Sequence, residues 1–420
     1  MAIQTTFIHA ADLHLGAAFK GLRSLSSAWA NRMCEAVPEA FERLVKAAID
    51  RKVDFVVLAG DVFDMARPSY ADFMRFFEGV ERLGRAGIPV YLCTGNHDPY
   101  TSWQNDFAEF PENLFMFPAD KPGFFVYERD GEPLVLLGGR GYYNQSVSAS
   151  QDIAAGVTRH AAEAACHTSA PFAVGVLHTG LHLDPVKAPT DPAALLRSGM
   201  DYWALGHIHM PYKDSADNPR LVFSGCIQGR DSKETGPRGC YQVTLEQDRQ
   251  NRIDFVPLAS VVWQKLNVDV SECATLADVN AAIMRALFDL NGKAQCEEMV
   301  ERVTLVGTTP LHEALRAPGV IEDMRKKIND DYPIFFCDAL IDKTTLPLNR
   351  KALSEENLFP AVLMRQARTQ AEGREEAVAY LQREFLQKNL QMPIACVKNL
   401  DDLESQSEDL LLDLLCGGAS

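Results

Sequence analysis

The chain has 420 residues, 47% hydrophobic and 23% charged, and its 41 Lys and Arg against 57 Asp and Glu leave a formal charge of -16. These proportions exclude a disordered or fibrous protein, the length suffices for a large core without disulfides or oligomerisation, and no run of about 18 apolar residues offers a membrane span. The charge works against unaided binding of a polyanion; residues 1–262 hold 24 basic and 31 acidic side chains (-7) and the remainder 17 and 26 (-9), which leaves room only for a local basic channel.

In chain order, short apolar runs at 6–9, 54–59 and 89–93 each end in polar or Gly residues and read as buried strands. Helical periodicity fills the gaps, at 34–52 with Val37, Phe41, Leu44, Val45 and Ala48 on one face, and at 71–87. Further strands are expected at 134–138, 173–178, 202–205, 221–224 and 240–245. This alternation implies a layered α/β domain over residues 1–262, a two-sheet β-sandwich flanked by helices. From 263 the rhythm becomes strand, helix, strand, helix, strand, at 263–270, 276–290, 300–307, 318–328 and 334–342, which predicts a small βαβαβ capping domain over 263–345. Residues 346–420 read as a helical C-terminal region, with Val378, Leu381 and Phe385 at helical spacing and Pro393 closing that stretch. Its acidic end, with Leu410, Leu411, Leu412, Leu414 and Leu415, suits either a docking peptide or a flexible tail. Ten scattered cysteines without a C-x-x-C pair, and no secretion signal before the first strand, point to the cytoplasm.

Five polar clusters each follow an expected strand: Asp12-Leu13-His14, Gly60-Asp61, Gly95-Asn96-His97-Asp98, His178, and Gly206-His207-Ile208-His209. Alternation along an extended chain would turn Asp12 with His14, and His207 with His209, to one side. Carboxylate, amide and imidazole donors together suit borderline divalent ions such as Mn, Fe or Zn, whereas Mg or Ca would favour oxygen alone. An Asp on a tight turn after a strand, as Asp61 is, can bridge two ions about 3.5–4 Å apart. A lone Gly-Asp turn or His-x-His pair is ordinarily structural, but five of the ten histidines fall in these clusters, in this order.

That order resembles the calcineurin-like metallophosphoesterase superfamily over roughly residues 6–245. The resemblance implies a first metal held by Asp12, His14, Asp61 and His209, and a second held by Asp61, Asn96, His178 and His207. It also implies that His97 meets the scissile phosphate, with Asp98 in reach to orient its ring. The segments 7–16, 58–64 and 202–209 look like the bacterial SbcD-type DNA repair exonucleases, and 224–240 is closer still to the YhaO-like subgroup. Membership there implies manganese-dependent phosphodiester cleavage in DNA, a capping domain, a homodimer, and an SMC-like coiled-coil ATPase partner of the SbcC or YhaN kind that would supply DNA grip. Archaeal and eukaryotic nucleases of the group usually have His three residues after the bridging Asp; this chain has Asp64, as bacterial relatives do, and Asp64 is expected to be structural. Arg230, Lys233 and Arg238 are candidates for phosphate contact, and His182 falls outside the ligand pattern.

Two other readings compete. A phosphatase or phosphodiesterase acting on small substrates shares the ligand set, but has little need of the 155 or so residues beyond the core. A scaffold with a vestigial site fits poorly, because every expected ligand is present.

Overall fold

The computed structural model describes residues 3–103, 109–147, 152–184, 188–293, 298–331 and 333–347, with a few isolated positions beyond. The expected C-terminal helix with Val378, Leu381 and Phe385, and the Leu-rich end, lie outside the described residues. The first elements are β1 (Gln4–Ala10), α1 (Lys20–Arg23), α2 (Ser27–Asp50), β2 (Phe55–Ala59), α3 (Tyr70–Arg85), β3 (Val90–Cys93) and β4 (Leu114–Met116). There follow β5 (Gly123–Arg129), β6 (Glu132–Arg140), α4 (Arg159–Cys166), β7 (Phe172–His178), α5 (Pro192–Arg197), β8 (Tyr202–Gly206), β9 (Tyr212–Lys213), β10 (Leu221–Phe223), β11 (Gly239–Glu246) and β12 (Arg252–Pro257). The last are β13 (Val261–Asp269), α6 (Leu276–Lys293), β14 (Glu298–Thr308), α7 (His312–Arg316), α8 (Val320–Asp331) and β15 (Phe335–Thr345).

Every strand expected up to residue 245 is present. They form two six-stranded sheets, ordered β12-β11-β1-β2-β3-β4 and β5-β6-β7-β8-β10-β9. Successive side chains on a strand face opposite ways, and this sorts the apolar residues into layers. Phe7, Phe55, Val57 and Tyr91 from the first sheet pack with Val135, Leu137, Val174, Val176 and Ala204 from the second. Their neighbours Ile8, Val56, Leu58 and Leu92 turn outward onto α2 and α3, while Leu136, Ala173, Leu177 and Trp203 form the outer core of the second sheet. The α/β sandwich read from the sequence is therefore the architecture found. Helix α2 starts seven residues before its apolar periodicity because the Ser26 side chain caps the Trp29 N–H.

The chain separates into two compact units, one of residues 1–264 with 291–301 and 334–338, the other of 265–290, 302–333 and 339–420. In the first, Arg32 pairs with Glu298 at 2.5 Å and Trp29 stacks on Phe336. The second carries most of α6 and all of α7 and α8. A third sheet has the order β13-β14-β15. No helix among the described residues is long and apolar enough to cross a membrane.

Candidate active site

Strands β1, β2 and β3 run parallel, as do β6, β7 and β8, so the loops after each set leave from one edge of its sheet, where α/β folds place their sites. Backbone and side-chain hydrogen bonds tie these loops together. Asp12 N–H donates to Gly60 O at 3.0 Å and His14 N–H to Asp61 O at 3.0 Å. The His178 ring, at the end of β7, meets Ala59 O through Nδ1 at 2.9 Å, and His207 N–H donates to the Asp12 carboxylate at 3.1 Å.

Asp12 and His14 converge as expected, yet strand alternation is not the cause. Both lie beyond β1 with left-handed backbones (φ 52° and 51°), as do Asp61 (51°) and His207 (100°). Such conformations cost about 1–3 kcal/mol each in ordinary residues and persist where surrounding contacts dictate them. Four of the seven expected ligands are held this way. Glycine provides the close approach: a Cβ on Gly206 would lie 1.9 Å from Ala59 O. Gly206→Ala is therefore expected to cost more than about 2 kcal/mol and to weaken metal uptake, measured as a lower thermal midpoint and a lower metal content; an unchanged midpoint would mean the two sheets part there without penalty.

The donors face one another. His14 Nε2 lies 3.2 Å from His209 Nε2, 3.9 Å from Asp12 Oδ1 and 4.0 Å from Asp61 Oδ2, and His209 Nε2 lies 3.6 Å from Asp12 Oδ1. The same Asp61 Oδ2 lies 3.3 Å from His178 Nε2, which is 3.2 Å from Asn96 Oδ1, with the His207 ring 5.3 Å from that of His178. Asp61 is shared by the two groups. Asp12, His14, Asp61 and His178 are all essentially inaccessible to water. Buried carboxylates at such spacing repel unless cations compensate them, and two imidazole nitrogens 3.2 Å apart match the roughly 3.3 Å between ligands held about 2.0–2.1 Å from one tetrahedral ion. The chemistry and spacing of the donors fit a pair of divalent ions.

The ring nitrogens that face away from this centre lie close to carboxylates. His14 Nδ1 lies 3.0 Å from Asp64 Oδ1, His209 Nδ1 2.5 Å from Glu234 Oε1, and His207 Nε2 3.0 Å from Asp184 Oδ2. Partners of this kind fix a ligating ring's tautomer and direction. Burial would raise the Glu234 carboxyl, yet its hydrogen bond to His209 and the charges of His209 and Arg230 hold it at about 2. Burial opposes charge on His178 too, but the adjacent Asp61 carboxylate outweighs it and raises the ring to about 9. Burial lowers His14 and His207 and favours the neutral form that binds metal.

Two sequence expectations are corrected. Asp98 does not orient His97: its carboxylate accepts N–H groups of Gly95, Asp61 and Val62 at 2.8–3.1 Å and so pins the two turns together. His97 is aimed instead by the Asp64 carbonyl, 2.8 Å from Nδ1. Arg238 is no phosphate contact; it is buried, and its guanidinium donates to the carbonyls of His209, Glu234 and Thr235. Arg230 pairs with Asp64 at 2.5 Å, Lys233 is exposed, and exposed His182 joins no donor group. Sequence reasoning missed Glu234, Asp184 and Tyr142. The first two could have been sought as carboxylates for the outer histidine nitrogens, though nothing in the spacing singles them out. Tyr142 packs edge-on against His178 at 5.6 Å, and its buried hydroxyl has no hydrogen-bond partner among the described residues.

Comparison with known proteins bears on this geometry. The calcineurin-like phosphoesterase family matches residues 5–211, and the middle domain of metallophosphoesterase YhaO matches residues 263–344. The chain is 32% identical to the uncharacterized metallophosphoesterase YhaO of Bacillus subtilis (strain 168), over 79% of this chain and 78% of that one. It is 28% identical to the DNA double-strand break repair protein Mre11 of Aeropyrum pernix, over 76% of each chain. To the protein of the same name from Archaeoglobus fulgidus it is 23% identical over 96% of this chain and 94% of the other.

Proposed function

Because the chain belongs to the calcineurin-like metallophosphoesterase family, with a YhaO middle domain after the phosphoesterase one, we propose that this metal-dependent phosphoesterase is a two-metal DNA nuclease. The observation that carries the reading is the double cluster of donors that shares Asp61. Asp12, His14, Asp61 and His209 would hold one ion, and Asp61, Asn96, His178 and His207 the other, most simply manganese. Divalent ions bound there would acidify a water and neutralise charge on the phosphoryl oxygens.

The protein's own groups do the rest. His178 offers Nε2 because Nδ1 is engaged with Ala59 O, and His207, engaged through Nε2 by Asp184, would ligate through Nδ1. His97 is half-buried, and with Nδ1 on the Asp64 carbonyl its Nε2 is left for the substrate. Only the doubly protonated ring can then donate from Nε2, to a phosphoryl oxygen or to the leaving oxygen. DNA as substrate is supported by the relatives named as double-strand break repair proteins. The charge of -16 favours a companion that supplies the grip on DNA, in line with an SMC-like ATPase; a homodimer and a cytoplasmic location belong to the same proposal.

The full chain with Mn is expected to shorten end-labelled DNA stepwise, and the Asp61→Ala variant to leave it intact. Hydrolysis of a small chromogenic phosphodiester with DNA untouched would move the protein to the small-substrate reading.

A further inference from the structure

The geometry points to a second element of the site: we propose that Tyr100 and Tyr143 form a ledge on which an unpaired nucleobase beside the scissile phosphate stacks. This rests on the nuclease reading and adds to it a preference for single-stranded or frayed ends. The two tyrosines come from different sheets, Tyr100 from the loop after β3 and Tyr143 from the loop after β6. Three hydrogen bonds bolt the loops together. Thr94 Oγ1 and Tyr100 N–H both donate to Tyr142 O, at 2.9 and 2.7 Å, and Tyr142 N–H donates to Thr94 O at 3.2 Å. Gly141 allows the approach, since a Cβ there would lie 2.4 Å from Thr94 Oγ1.

Held this way, the rings of Tyr100 and Tyr143 lie within 18° of parallel with centroids 6.3 Å apart. The position relative to the site follows from their neighbours. Tyr142 sets its ring edge against His178, and Tyr100 lies three residues beyond His97. Tyr143 remains 53% exposed, so part of this aromatic pair is open to solvent on loops that follow β3 and β6, strands neighbouring those that carry the donors. Base stacking on such a face needs no positive charge and tolerates any sequence, which suits a chain of charge -16. A base inside a duplex already has both faces covered, so the ledge can take only a base that is unstacked. Because backbone hydrogen bonds hold together the loops that carry the two rings, less loop ordering remains to be done on binding.

The test uses the full chain with Mn and two single-stranded oligonucleotides, identical except that one has an abasic unit at the cleaved terminal nucleotide. Wild type is expected to show a KM roughly five- to a hundredfold lower for the base-bearing strand. Tyr143→Ala should bring that ratio close to one, and Tyr143→Phe, which keeps the ring, should preserve it. Equal KM values in wild type, or a ratio unmoved in both Tyr143→Ala and Tyr100→Ala, would overturn the ledge and leave the nuclease standing. Hydrolysis of a small diester with neither oligonucleotide cleaved would overturn both.

Discussion

Replacing His97 with alanine is expected to lower kcat on a phosphodiester by about 10²- to 10⁴-fold, while the protein still takes up two ions. The two effects separate because the His97 ring, although it neighbours His14 and Asp64, is assigned to the phosphate and not to the ions. Its backbone N–H donates to Asp61 Oδ1 at 2.8 Å, a contact that survives loss of the side chain, and its ring is fixed by the Asp64 carbonyl. The seven proposed ligands are therefore left in place by the substitution. Metal content after gel filtration, measured beside kcat, checks this, and the loss should fall on kcat more than on KM if the ring acts in the transition state. A His97→Ala protein that has lost an ion would make His97 a ligand and undo its assignment to the phosphate. Its ring centroid lies 4.9 Å from that of His14, so the metal measurement is decisive.

The contrast between these residues also shows what a sequence can reveal. The strands carrying the site were legible because they are buried on both faces and read as continuous apolar runs ended by Gly or polar residues; β2, Phe55–Ala59, is buried at every position. The ligand clusters were legible because each directly follows such a strand. Strand β5 was not, since every residue from Gly123 to Tyr127 is only half-buried, although the Asp130-Gly131 pair between β5 and β6 is a recognised hairpin signal and adopts the positive φ values (55° and 81°) that such a turn uses. Strands β9 and β12 escaped because one has two residues and the other is largely exposed. The groups that orient the ligands were hidden for a different reason. Glu234 lies 25 residues from His209 and Asp184 lies 23 from His207, and only the folded loops bring them within bonding distance. Asp98 was misread because adjacency in sequence to His97 suggested a side-chain contact, whereas three backbone N–H groups from two turns claim both its oxygens.

Away from the site, Glu301 is expected to make the protein's stability fall with rising pH, and Glu301→Gln to abolish that part of the fall. Its side chain in β14 is fully buried and neither carboxylate oxygen has a hydrogen-bond partner among the described residues. Burial alone pushes its carboxyl up from 4.5 to about 8. Below about pH 4.5 the acid is protonated whether the chain is folded or unfolded, and its titration makes no difference. Between 4.5 and 8 only the unfolded chain releases the proton, so stability drops by about 1.4 kcal/mol per pH unit. Above 8 the folded state ionises too and the loss levels off at about 5 kcal/mol at most. Glutamine imitates the protonated acid at every pH. Urea unfolding of wild type and Glu301→Gln should therefore give nearly coincident midpoints at pH 5 and a clear gain for the variant at pH 8. A gain of equal size at both values would mean that the substitution acts through packing and that the carboxyl finds solvent or a partner when it ionises.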